Sequence, residues 1–108
     1  MPSWKKVITS GSNAVLNDIT SSGDIKNTEG NFTIDAVGDI ILDADNADVI
    51  LKDGGTEFGR LSRVSSDLVI KSATSNKDVL IKGNDGGATI TSLQLDMSDA
   101  GSATFNNH

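Results

Sequence analysis

Five short runs in this chain share one order of polar and apolar positions: an Asp or Asn, three mostly aliphatic residues, then a charged residue. Asp39-Ile40-Ile41-Leu42-Asp43, Asp48-Val49-Ile50-Leu51-Lys52, Asp67-Leu68-Val69-Ile70-Lys71 and Asp78-Val79-Leu80-Ile81-Lys82 are close copies, and Asn31-Phe32-Thr33-Ile34-Asp35 is a weaker fifth. Short β-branched runs bounded by Asp, Gly, Ser and Asn predict strands, and their recurrence at intervals of 8, 9, 19 and 11 residues predicts short strands stacked along a repeat. A side-chain period of two puts Ile40 and Leu42 on one face and Ile41 on the other, so both faces are partly apolar. That suits a strand covered on both sides, as in stacked or interwound sheets, better than a sheet with one solvated face. Repetition of this kind points to architecture rather than to a reaction.

Residues 1 to 22 lack the phrase. They hold Trp4, the strand-like Lys6-Val7-Ile8-Thr9, a Ser10-Gly11-Ser12-Asn13 turn and then Ala14 to Ile19, and they read as an N-terminal anchoring or capping segment. Residues 23 to 108 read as strand, turn, strand. Strands are predicted at Phe32 to Val37, Ile40 to Ala44 and Val49 to Leu51, with separations too short for an average helix. Asp53-Gly54-Gly55 supplies a hairpin turn, and Phe58 and Leu61 flank Gly59, so the 19-residue interval holds one divergent strand. Asn84-Asp85-Gly86-Gly87 predicts a second turn. A strand then follows with Ile90, Leu93, Leu95 and Met97 on its buried face, and Ser102 to Asn106 is the last strand. Proline occurs only at position 2, so nothing in the repeat forbids ladder pairing. The core candidates are Ile25, Phe32, Ile34, Ile40, Leu42, Val49, Leu51, Leu68, Ile70, Val79, Ile81 and Ile90.

Composition adds a constraint on packing. In 108 residues with 36% hydrophobic and 4% aromatic content, few large side chains are present to fill a core, which favours association of identical chains. A net charge of -6 with scattered basic residues argues against a nucleic-acid partner. No apolar run approaches the ~20 residues of a bilayer span, and Met1 to Lys6 leads into no signal-peptide core.

Candidate chemistry is sparse. Cysteine is absent and the one histidine is His108, the last residue, so no internal nucleophile and histidine pair exists. Lysines at strand ends read as solvated corners, and the many aspartates occupy equivalent repeat positions, so no carboxylate pair stands out and an enzyme is not expected. Asp43 to Asp48 and Gly83 to Gly87 offer oxygen ligands for a hard cation. The first lacks the glycine and distal glutamate of an EF-hand loop, and the second occurs once where a calcium β-roll needs tandem copies, so both read as turns. Gly54 to Gly59 precedes no helix and carries no Lys-Ser/Thr, which excludes a phosphate loop, and no cofactor is expected. The turn residues Glu57, Arg60, Asn84 and Asp85 are the candidate surface-binding positions, and Trp4, Lys5 and Lys6 the candidate attachment positions.

The opening Trp4-Lys5-Lys6-Val7-Ile8-Thr9-Ser10-Gly11-Ser12-Asn13-Ala14 resembles the start of tail-fibre proteins of marine bacteriophages, including cyanophages. Gly38 to Ala44, Asp67 to Ser72, Lys82 to Gly87 and Leu95 to Gly101 are similar to their shaft repeats. The resemblance implies an all-β homotrimer on a virion, made in the host cytoplasm, with three chains interwound as a β-helix or packed as a β-prism. It also implies a structural role in a rigid shaft that supports host attachment, with other tail proteins as partners and a host surface polysaccharide as a further one. The residues alone leave open a single-chain β-solenoid or small β-sandwich, and with it an independent glycan- or protein-binding module.

Overall fold

The computed structural model describes residues 13–107. Contacts group the chain into two units that meet between Val37 and Gly38. The first contains no strand among its described residues, and the predicted boundary after residue 22 falls within it. The second unit holds six strands in two antiparallel, open sheets. Strands β1 (Asp48–Asp53), β2 (Thr56–Val64) and β3 (Asp67–Ser72) form one sheet in the order β1-β2-β3. Strands β4 (Val79–Asp85), β5 (Ala88–Asp96) and β6 (Ser102–Phe105) form the other in the order β4-β5-β6. A single 3₁₀ turn, Met97–Asp99, joins β5 to β6, and no α-helix occurs among the described residues.

The hairpins follow from their turn residues. Gly54 and Gly55 have φ of 57° and 84°, and Gly86 and Gly87 have 59° and 96°. Two consecutive left-handed residues make the tight turn whose twist matches that of the flanking strands, and glycine adopts it without a Cβ penalty. The β2–β3 turn has the same form but is built from Ser65 and Ser66, at φ of 48° and 75°.

Each glycine hairpin also carries a β-bulge. In the first sheet Leu51 faces Gly59 and Lys52 faces Glu57, leaving Phe58 as the extra residue. In the second, Ile81 faces Leu93 and Lys82 faces Thr91, leaving Ser92 extra. An extra residue reverses the alternation beyond it, so residues three apart across a bulge share a face. Ile90 and Leu93 therefore line one face of β5 despite their odd spacing.

Three of the five phrases lie in strands: those beginning at Asp48, Asp67 and Asp78. The predicted strands at Phe32 to Val37 and Ile40 to Ala44 do not form in the single chain. Gly38-Asp39 between them does not adopt the positive φ that closes the hairpins, and a strand with no partner gains no ladder hydrogen bonds. None of the core candidates is buried within one chain, and the described residues contain no buried apolar side chain.

The exposure is broad: Leu61, Leu68, Ile70 and Ile81 are 42%, 77%, 64% and 54% exposed. Both sheets are formed, but neither is covered.

Candidate functional site: an apolar and a polar face on each sheet

Register sorts the side chains of the first sheet into two sets. Val49 pairs with Leu61 and Leu61 with Ile70, while Leu51 and Leu68 lie one alternation away along the same face. That face is aliphatic in its middle, with Gly59, Arg63 and Ser72 beside the aliphatic residues and Asp53 and Thr56 at the turn end. Gly59 allows close approach there, since a Cβ at this position would lie 3.0 Å from the Lys71 carbonyl oxygen. The opposite face carries Asp48, Glu57, Arg60, Ser62 and Lys71, with Ile50, Val64 and Val69 among them.

The polar face is closed by its own pairing. Arg60 donates from Nε to Glu57 Oε1 and from Nη2 to Glu57 Oε2, each at 2.6 Å, and from Nη1 to Asp48 Oδ2 at 2.6 Å. Ser62 Oγ donates to the other oxygen of Asp48. Glu57 and Arg60 are three apart in a strand and would ordinarily point to opposite faces. The Phe58 bulge returns them to one face and makes the two-pronged pair possible. The hydrogen bond from Ser62, helped by the charge of Arg60, lowers the Asp48 carboxyl below its ordinary pKa. The Arg60 hydrogen bonds do the same for Glu57 and in turn raise Arg60. Lys71, opposite Arg60 in register, adds to the lowering of both carboxyls.

The second sheet repeats this division. Val79, Ile81, Ile90, Leu93, Leu95, Ala103 and Phe105 share one face, and Leu80, Lys82, Asn84, Thr89, Thr91, Gln94 and Thr104 the other. Asp78 accepts from Gln94 Nε2 at 2.7 Å and from the Met97 amide at 3.1 Å. Asp96 caps the 3₁₀ turn, accepting from Ser98 Oγ at 2.6 Å and from the amides of Ser98 and Asp99 at 2.9 and 3.2 Å; these bonds lower its pKa.

The two glycine hairpins are thus one unit built twice, 30 residues apart, from Asp48 to Asp78. In each, the Asp that opens the phrase anchors a long polar side chain two positions along on the neighbouring strand, Arg60 in one and Gln94 in the other. Each has a phrase-ending lysine beside a bulge and a Gly-Gly turn. The repeated phrase shows in the sequence, but Ser62 and Gln94 could be recognised as partners of Asp48 and Asp78 only through the register.

The sequence-derived surface candidates fall in different settings. Glu57 and Arg60 are bound to each other on the first sheet. Asn84 and Asp85 end β4 in the second, where Asn84 Oδ1 accepts from the Gly87 amide at 2.8 Å and stabilises the turn. Trp4, Lys5 and Lys6 lie outside the described residues. No group of three or more acidic or histidine side chains is placed to hold a metal ion among the described residues. An open groove of about 310 Å³ runs where the first sheet meets the start of β4, with Leu51, Phe58, Leu61, Ile70, Val79 and Leu80 on its walls. These arrangements offer apolar contact surface and saturated ion pairs. No protein-family model, curated protein or solved structure matches this chain.

Proposed function

We propose that this chain is a structural, self-assembling β segment: a length of rigid homotrimeric shaft, of the kind found in bacteriophage tail fibres, that supports host attachment on a virion. The observation that carries this reading is the complete lack of a buried apolar side chain among the described residues, although both sheets are well formed. Contact with other copies would cover the aliphatic faces that one chain leaves open, where Leu61, Leu68, Ile70 and Ile81 are exposed.

Three copies suit sheets of this form. Three narrow sheets, each apolar on one side, close around a common axis with every apolar face inward. The result is a prism whose outer faces carry the ion pairs. A single-chain solenoid or sandwich would cover the apolar faces within one molecule, and here Leu61, Leu68, Ile70 and Ile81 remain exposed. The tail-fibre resemblance of the opening segment and of the repeats supports the same reading, with other tail proteins and a host surface polysaccharide as partners of the whole fibre. An independent glycan-binding module using Glu57 and Arg60 is less well supported, because each already satisfies the other.

Native mass spectrometry tests the proposal. The expected species has three times the 11.2 kDa chain mass. A species of one chain mass at micromolar concentration would overturn it.

A further inference from the structure

We propose that residues 31–44 are a strand region completed between copies, pairing with the same segment of neighbouring chains in the assembly. This rests on the self-assembly reading above and specifies where the backbone of one copy meets that of another. Asp39-Ile40-Ile41-Leu42-Asp43 has the same order of residue types as the phrases that begin at Asp48, Asp67 and Asp78, each of which forms a ladder strand. Local preference is therefore the same, and what residues 39–43 lack is a partner.

The backbone is ready for one. Between Asn31 and Asn46 no residue has a positive φ, whereas Gly30 and Ala47 on either side do, at 67° and 70°. The segment between these two breaks is free of left-handed residues; the turn closed by the Ala47 amide on the Ala44 carbonyl lies at its end, and the bend at Val37-Gly38 separates its two runs. It contains no proline, so all its amides can donate.

The side chains call for cover in the same way. Phe32, Ile34, Ile40 and Leu42 are 61%, 57%, 55% and 65% exposed, and Ile41 is 83% exposed. The even-numbered four repeat at a spacing of two within each run, so extension brings Phe32 with Ile34 and Ile40 with Leu42 onto one side. Neither sheet of the same chain supplies a ladder to this segment. A second copy is the occupant, because identical chains present the identical phrase and because one chain leaves the apolar side chains of this segment and of both sheets without cover. Strand addition of this type draws its affinity from main-chain hydrogen bonds and its register from alternate side chains.

Hydrogen exchange on the full chain tests it, read peptide by peptide alongside absolute mass. In the assembled protein the amides of 31–44 should exchange on the order of 100-fold more slowly than in an unstructured peptide of the same sequence. Ile41→Pro removes a ladder donor and should weaken assembly at least about tenfold in concentration midpoint, while Ser22→Pro, outside the segment, should leave it unchanged. Full assembly with unprotected 31–44 amides and a tolerated Ile41→Pro would overturn the inference and leave the self-assembly reading standing. A monomer in the unaltered chain would overturn both.

Discussion

Leu68→Ala separates an assembly face from an ordinary exposed surface. Leu68 lies on the aliphatic face of the first sheet, opposite Arg63 in the β2–β3 register, and is 77% exposed in the single chain. Full burial of a leucine stabilises by about 1.5–3 kcal/mol, so covering the exposed fraction in an assembly contributes about 1–2 kcal/mol per chain. Three copies together make that about 3–6 kcal/mol per trimer, or a factor on the order of 10² to 10⁴ in the association constant. The strand within one chain should be little affected, because the side chain makes few contacts there. Sedimentation equilibrium over a range of concentrations, with circular dichroism to follow strand content, reads the two effects separately. Dissociation at a concentration where the unaltered chain is fully assembled is expected. A surface leucine with no role changes stability by less than about 0.5 kcal/mol, and an unchanged association constant would refute the assignment of this face.

Other expected outcomes follow from particular residues. Leu51→Asp, on the same face, should abolish assembly by burying an unpaired carboxylate, whereas Asp39→Ala at a phrase end should be tolerated; native gel mobility distinguishes them. Replacing Ser65-Ser66 by Asn-Gly should stabilise the β2–β3 hairpin by about 1 kcal/mol, because serine is strained at φ of 48° and 75°, and a lower melting temperature would contradict this. Gly59→Ala should destabilise by about 1–3 kcal/mol in a thermal melt as its Cβ meets the Lys71 carbonyl oxygen at 3.0 Å, while Gly83→Ala, with open space around it, should not. Asp48 and Glu57 have lowered native pKa values, so their contribution is fully present above the ordinary carboxylate pKa and is lost as pH falls through the lowered values. Asp48→Asn should flatten that acid limb in a pH series of melting temperatures, and an unaltered limb would contradict the role of the network.

The sequence was most informative where chemistry is local. Asp53-Gly54-Gly55 and Asn84 to Gly87 specify their turns through residues that adopt positive φ, and β2, β5 and β6 lie where divergent or alternating runs predict them. The pairing of Val49 with Leu51, of Leu68 with Ile70 and of Val79 with Ile81 on one side of each strand also follows from the period of two, while their union across strands comes from the register. The bulges were not legible, because an extra residue is defined by its partner strand. Without them Glu57 and Arg60 fall on opposite faces, and the ion-paired face goes unseen. The Ser65-Ser66 turn carries little signal for a different reason: serine only weakly favours a left-handed pair, so the sequence does not mark the hairpin that joins β2 to β3. Strands at Phe32 to Val37 and Ile40 to Ala44 fit their residues but have no partner within one chain, and pattern alone does not say whether a partner is intramolecular.

Light scattering coupled to size exclusion tests the central claim most directly, because it gives absolute mass and hydrodynamic size together. The account predicts the mass of three chains and an elution position earlier than that of a globular protein of the same mass. A one-chain mass with a compact profile would contradict it, since a chain that covers its own apolar faces needs no other copies.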